Sequence, residues 1–178
     1  ASSGATSVMM TFLPIYIRED LGYSPGVVGG YIAVAQVAGI GSQPVMGHLS
    51  DRLGRKAVLV PALAGMCVTI LGVYLAASGV LFVLALAVMG AFLFSLMALM
   101  VATASDLAPP DVQSTIVSLV FGSGILLSGI VPYFAGLIAD VHGVRTTFLF
   151  AASIAFVAAA LALTIRGQRR EAVAPAKP

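Results

Sequence analysis

Charged residues are scarce in this sequence. Lys, Arg, Asp and Glu make up 9 % of its 178 residues, whereas a soluble domain carries about 25 %. Nine basic and seven acidic side chains cannot cover the water-facing surface of a folded chain of this length. This scarcity excludes a soluble enzyme, a nucleic-acid-binding protein and a disordered chain.

Several residue types that carry chemistry are rare or absent. The single cysteine, Cys67, excludes an intrachain disulfide, and with only two histidines it cannot complete a structural zinc site. Both histidines lie at the ends of apolar runs, so Ser123 has no general base beside it for nucleophilic catalysis. A Gly-rich phosphate loop with a lysine is also absent. We therefore expect no metal, no cofactor and no enzymatic activity.

The sequence is instead rich in long apolar runs. Hydrophobic residues make up 60 % of it, and its mean hydropathy is +1.06. A helix that spans a bilayer needs about 20 mostly apolar residues, and a barrel strand needs only about ten. The first run is short, and we expect upstream sequence to supply its start. The pattern predicts an all-α polytopic membrane protein with six transmembrane helices, at residues 3–17, 26–47, 57–77, 81–103, 112–138 and 146–165.

Basic residues are distributed unequally between the two sides of such a protein. Seven lie on the side of loops 49–56 and 105–111 and of the tail, and only Arg18 and Arg145 lie on the other side. The positive-inside rule then predicts a cytoplasmic location for the first side, in a cell membrane. We expect the tail, residues 166–178, to be cytoplasmic and disordered. The seven residues are Arg52, Arg55, Lys56, Arg166, Arg169, Arg170 and Lys177.

Two segments of ten residues resemble each other. Residues 47–56 read GHLSDRLGRK and residues 136–145 read GLIADVHGVR, at an offset of 89 residues. Each follows a glycine-rich span, the second and the fifth of six. An offset of three helices reverses the direction through the membrane, which predicts two inverted three-helix repeats. A chance match stays open, because glycine and aspartate are common at helix ends.

The first of these segments resembles the loop signature of the major facilitator superfamily, Gly-x-Leu-[Ser/Ala]-Asp-Arg-x-Gly-Arg-[Arg/Lys]. The resemblance extends over the chain to about Arg166. It implies one six-helix half of a twelve-helix transporter in a lipid bilayer, with the N-terminal half missing from this sequence. The matching residues are Gly47, Leu49, Ser50, Asp51, Arg52, Gly54, Arg55 and Lys56.

Three features favour the C-terminal half of such a transporter. The fourth span lacks the arginine that the family's first half often carries, and Val131 stands before Pro132 in place of the glycine of the antiporter motif. The chain also ends soon after its sixth span, without a central linker.

The resemblance implies a gating role for the signature loop. In the family this loop is a latch that forms and breaks between the halves, which predicts the same for Asp51 and the basic residues Arg52, Arg55 and Lys56. Gly54 would allow the tight turn. The alternative is a topology anchor with no part in gating. The equivalent positions of the second copy are Gly136, Asp140, Gly143 and Arg145.

A substrate cavity is the second candidate site. By analogy with the family, the fourth span contributes to this cavity, although a stripe of Met and Phe is more often core. Small-residue faces, such as Gly26 and Gly30 or Gly122 and Gly129, favour close helix packing over cavity lining. The candidate lining residues are Gln36, Met89, Phe92, Ser95, Ser123 and Tyr133.

These features predict a secondary transporter for a small solute. An uncharged lining favours a neutral or lipophilic compound, which would be exported against or along a gradient. The alternative from another class is a membrane scaffold or receptor-like protein that keeps the fold without transporting.

Overall fold

The computed structural model describes residues 2–76 and 79–164. Within these residues the chain is helical, with short connections and no strand. The predicted tail, residues 166–178, lies outside the described residues, as do Ala77 and Ile165 at the ends of two predicted spans. The α-helices are α1 (Ser2–Glu19), α2 (Pro25–Leu53), α3 (Arg55–Leu75), α4 (Val80–Leu107), α5 (Gln113–His142) and α6 (Thr146–Thr164), with a 3-10 turn at Pro110–Val112.

Five of these six helices are long and apolar enough to cross a membrane. The exception is α1, whose 18 residues include three serines, two threonines, Arg18 and Glu19. One face of α1 nevertheless enters the common core, where Val8, Met9 and Ile17 are fully buried. The fold class is therefore that of an all-α polytopic membrane protein.

The helices extend further than the apolar runs, and the predicted loops are correspondingly shorter. Helix α2 continues to Leu53, six residues past the predicted end of its span, and α4 continues to Leu107. A helix does not need to end where its apolar run ends, because its hydrogen bonds are internal and water can solvate its last turns. The predicted loop 49–56 is reduced to Gly54.

Glycine makes both tight turns of the internal repeat. Gly54 has φ 96° and ψ 148°, and Gly143 has φ 85° and ψ 157°. Each donates its N–H to the carbonyl four residues earlier, Gly54 to Ser50 and Gly143 to Ala139. The backbone is thus alike at positions 89 residues apart, as the sequence repeat predicts.

The helices form their most extensive contacts in four pairs, α2 with α4, α1 with α5, α3 with α6, and α3 with α4. The first two pairs are exchanged by the repeat, and the third pairs each repeat's last helix with that of the other. The six helices enclose one core, whose largest fully buried side chains include Phe82, Phe148, Met9, Leu63 and Met66.

Helices α2 and α4 approach so closely that two of their glycines leave no room for a Cβ. A Cβ added to Gly90 would lie 2.1 Å from the Ala35 carbonyl oxygen, and one added to Gly39 would lie 2.4 Å from the Phe94 ring. Ser42 reinforces the contact, because its Oγ is 2.8 Å from the Ala91 carbonyl oxygen of α4.

The small-residue faces named from the sequence do not pack within the described chain. A Cβ added to Gly26, Gly30, Gly122 or Gly129 would meet nothing within 4 Å. The described residues therefore do not pack against these glycines, and close packing against a helix outside this chain stays a prediction. Other glycines do pack within the described chain, such as Gly4 against Val131, Gly65 against Phe92 and Gly90 against the Ala35 carbonyl.

Candidate functional site

The signature segment forms an ion-paired cluster at the junction of three helices. Arg55, the first residue of α3, has its Nη1 2.8 Å from Asp51 Oδ1 at the end of α2. Its Nε donates to Asp106 Oδ2, 2.7 Å away, in the last turn of α4. Arg55 Nη1 also lies 3.2 Å from the Oγ of buried Ser50. One guanidinium therefore connects α2, α3 and α4.

Each charge of this cluster sits at the helix end where its sign is unfavourable. A helix N-terminus repels cations and a C-terminus repels anions. Arg55 begins α3, whereas Asp51 and Asp106 lie in the last turns of α2 and α4. Pairing offsets all three repulsions at once, and because Arg55 is the shared partner, its loss would leave both aspartates unpaired.

The remaining signature residues have separate contacts. Lys56 Nζ donates to the Leu163 carbonyl oxygen at 2.7 Å, in the last described turn of α6. Arg52 is exposed, and no hydrogen bond or ion pair joins it to another described residue. Gly47 lies within α2, and a Cβ there would meet nothing within 4 Å. Only Asp51 and Arg55 of the predicted set come together.

Asp106 was not singled out from the sequence. It falls in the segment SDLAPPD, which the apolar pattern assigns to a loop. In the structure α4 continues through Asp106, which places its carboxylate beside Arg55. Sequence patterns alone held no sign of this pairing, because the two residues are 51 positions apart.

The second copy of the repeat has the turn but no ion-pair cluster. Val144 occupies the position equivalent to Arg55, and exposed Asp140 forms no ion pair among the described residues. A Cβ added to Gly136 would lie 3.9 Å from the ring of Phe12. Arg145 contacts Tyr74 through hydrogen bonds to its carbonyl oxygen and lies 4.5 Å above its ring.

A cleft of about 380 Å³ opens between α1, α4 and α5. One wall is a row of hydroxyls from the start of α1, and the other is apolar. Ser7 Oγ donates to the Ser128 carbonyl oxygen at 2.7 Å, which fixes α1 against α5 at the cleft. The hydroxyl row comprises Ser2, Ser3, Thr6 and Ser7, and the apolar side includes Phe94, Met97, Phe121 and Ile125.

The six residues predicted to line a cavity do not line this cleft. Met89 and Ser95 are 0 % and 1 % exposed. Met89 belongs to the common core, and the Oγ of Ser95 lies 2.7 Å from that of Ser42 on α2. Phe92 packs against Gly65 of α3. Gln36, Ser123 and Tyr133 are exposed on α2 and α5, outside the cleft.

The hydroxyl row of α1 was also not anticipated. Ser2 and Thr6 lie four residues apart, as do Ser3 and Ser7, which places each pair on one helical face. That spacing was visible in the sequence, but the neighbours across the cleft come from α4 and α5 and depend on tertiary packing. The cleft presents no charged side chain among its lining residues.

Six helices in two related triplets, five of them long and apolar enough to cross a membrane, define a polytopic membrane protein. The whole sequence, residues 1–178, matches the Major Facilitator Superfamily. The chain belongs to this family.

Curated relatives are transport proteins of bacteria. The multi-drug resistance efflux pump PmrA of Streptococcus pneumoniae is 25 % identical over 172 residues, which cover 91 % of this chain and 41 % of the pump. The multidrug resistance protein MdtG of Citrobacter koseri is 30 % identical over 189 residues, covering 97 % of this chain and 43 % of that protein.

A third relative is named for a different class of substrate. The glycine betaine/proline/ectoine/pipecolic acid transporter OusA of Dickeya dadantii is 30 % identical over 129 residues, or 70 % of this chain and 26 % of OusA. The chain spans about two fifths of the length of PmrA and MdtG.

Proposed function

We propose that this chain is the C-terminal half of a transporter that exports neutral or lipophilic compounds by alternating access. The observation that carries the proposal is the cleft between α1, α4 and α5. Its apolar side suits a lipophilic compound, and its hydroxyl row can donate or accept hydrogen bonds without presenting charge. Similarity to two multidrug resistance proteins supports the same substrate class.

An N-terminal six-helix half is the partner that this function requires. Helices α2 and α5 leave long apolar faces uncovered, and α5 has only Ala135 buried among its described residues. The exposed glycines on these faces would allow another helix to approach closely. The relatives are more than twice as long as the matched segment, which leaves room for a second half of similar size.

The proposed orientation places the Asp51–Arg55–Asp106 cluster at the cytoplasmic face. The support is the seven-to-two distribution of basic residues between the two sides. In this position the cluster serves as the latch that breaks and re-forms between inward-open and outward-open states. Its exposed carboxylates, 59 % and 54 % accessible, remain able to exchange partners with the other half.

The energy source of transport is left open between two mechanisms. A proton carrier inside the membrane requires a buried titratable group. All six acidic residues in the described part are exposed, at or near helix ends: Glu19, Asp20, Asp51, Asp106, Asp111 and Asp140. If export is proton-driven, the carrier lies in the N-terminal half; if it is passive, no carrier is needed.

An export assay with matched aromatic variants tests the proposal. Phe121→Ala removes a ring from the cleft, whereas Phe156→Ala removes an exposed ring from α6, away from the cleft. In cells that express the complete protein and are preloaded with Nile red, an uncharged lipophilic dye, Phe121→Ala should slow export several-fold. Phe156→Ala should export at the wild-type rate.

The same assay distinguishes the alternatives. Wild-type protein that moves glycine betaine but no lipophilic dye would replace the proposed substrate class with that of OusA. A wild-type protein that moves neither would support the non-transporting scaffold. Equal export by the two phenylalanine variants would remove the cleft from the transport path.

A further inference from the structure

Helices α3 and α6 are joined at both ends by a basic side chain. Lys56 Nζ, at the start of α3, donates to the carbonyl oxygen of Leu163 near the end of α6 at 2.7 Å. Arg145, just before α6, donates from Nη2 and Nε to the carbonyl oxygen of Tyr74 at 2.6 and 3.2 Å, near the end of α3. The two helices are therefore antiparallel, and the start of each contacts the end of the other.

These two contacts are equivalent under the internal repeat. Lys56 and Arg145 are 89 residues apart, and so are the acceptors Tyr74 and Leu163. The acceptors differ in side chain, but this does not matter because each accepts through its backbone carbonyl. The repeat thus makes the same bond twice, once at each end of the α3–α6 pair.

Both bonds satisfy groups that a helix leaves unpaired. The last four carbonyls of a helix have no partner within it, and a cation is favourable beside them. Arg145 adds a second hydrogen bond and stacks over the Tyr74 ring, 4.5 Å from its centroid. At mid-helix, the Cys67 Sγ lies 3.4 Å from the Ala152 carbonyl oxygen, a third polar contact between α3 and α6.

We infer that Lys56 and Arg145 are paired clamps that hold α3 and α6 together as one rigid unit throughout the transport cycle. The inference rests on the proposed function. The inference gives two neighbouring residues of the signature segment different roles. Arg55 binds Asp106 on α4, whereas Lys56 binds the Leu163 carbonyl oxygen on α6. Arg55 belongs to the latch that opens, and Lys56 belongs to a contact that stays closed.

Thermal unfolding of the complete purified protein tests the clamps without any transport measurement. Lys56→Met should lower Tm by about 2–4 °C, the shift expected for a lost charged hydrogen bond, and Arg145→Met should lower it at least as much because it removes two. Lys56→Arg should restore the wild-type Tm, because an arginine can reach the same carbonyl. Arg52→Met, which removes a neighbouring exposed cation, is the control and should leave Tm unchanged.

Distances between spin labels test rigidity. Val68 of α3 and Phe156 of α6 are both exposed, so each can be replaced by a labelled cysteine in a Cys67→Ala background. The complete protein should give one narrow distance distribution, identical with and without Nile red. In the Lys56→Met/Arg145→Met double variant this distribution should broaden.

Three results would overturn the inference. These are an unchanged Tm in both methionine variants, an equal loss in Arg52→Met, and a second distance population in the unmutated pair when Nile red is added. Loss of transport in Lys56→Met at unchanged Tm would assign Lys56 to the latch instead. The Tm measurement is made without substrate. It therefore tests the clamps even if the protein does not export lipophilic compounds.

Discussion

At the scale of single residues, the charged side chains of the signature segment are defined by their positions at helix ends. Arg55, Asp51 and Asp106 each occupy the end of a helix where their charge is unfavourable. An exposed ion pair contributes only about 0–1 kcal/mol to stability. Such an arrangement stabilises the fold little, but its partners can be exchanged at low cost, which suits a latch better than a fixed anchor.

Neutralising one carboxylate of the cluster should separate transport from stability. We expect Asp51→Asn to slow transport several-fold while Tm falls by less than about 2 °C, because the exposed pair contributes less than about 1 kcal/mol. Asp140→Asn, at the equivalent position of the second copy, removes an exposed charge that pairs with no described residue. Equal transport rates in the two variants would reduce the cluster to a topology anchor.

The turn glycine should tolerate substitution far less than a glycine seven residues earlier. Gly54→Ala forces a side chain into φ 96°, which costs about 1–3 kcal/mol. Gly47→Ala lies within α2 with open space around it and should be neutral or slightly stabilising. Thermal unfolding of both variants checks this, and an unchanged Tm in Gly54→Ala would contradict the assigned turn geometry.

At the scale of helices, close approach depends on where glycine meets a neighbour. Gly90 and Gly129 both lie in membrane helices. A Cβ added to Gly90 would lie 2.1 Å from the backbone carbonyl oxygen of Ala35, whereas one added to Gly129 would meet nothing within 4 Å. Gly90→Ala should separate α2 from α4 and lower Tm by several degrees, whereas Gly129→Ala should leave the folding of this half unchanged. Thermal unfolding again provides the measurement. If Gly90→Ala unfolds at the wild-type temperature, the α2–α4 contact is looser than described.

The sequence predicted the number and order of helices, because apolar length decides them. It predicted their ends less well: α2 continues to Leu53 through the charged half of the signature segment. Apolar runs report where lipid lies, and helix ends are decided by residues such as Gly54 that stop the hydrogen-bond ladder. The fold was thus accessible from composition and repeats, with errors of up to six residues at helix ends.

The candidate sites were less accessible from the sequence. Asp51 and Arg55 were identified because they are four residues apart on one motif. Asp106 and the α1 hydroxyl row were missed because their partners come from distant parts of the chain. Met89 was proposed for a cavity and is fully buried, since a stripe of Met and Phe does not show which side faces a neighbouring helix.

At the scale of the whole molecule, the proposed orientation places the loops after α1, α3 and α5 outside the cell. It places the loops after α2 and α4 in the cytoplasm. Asp20 and Asp111 are both exposed, one in the connection after α1 and the other in the turn before α5. In intact cells and a Cys67→Ala background, a cysteine at Asp20 should react with an impermeant thiol reagent. A cysteine at Asp111 should react only after the membrane is permeabilised, and the reverse pattern would invert the proposed orientation.

Protection of a cleft residue by substrate tests the central claim most directly. Ile125 is 70 % exposed and lines the cleft, and Phe156 is 64 % exposed on α6. With each replaced by cysteine in the complete Cys67→Ala protein, alkylation by a membrane-permeable maleimide is measured with and without saturating Nile red. The account predicts that the dye slows alkylation at position 125 several-fold and leaves position 156 unchanged. Equal alkylation rates at position 125 with and without a dye that the protein demonstrably exports would contradict it.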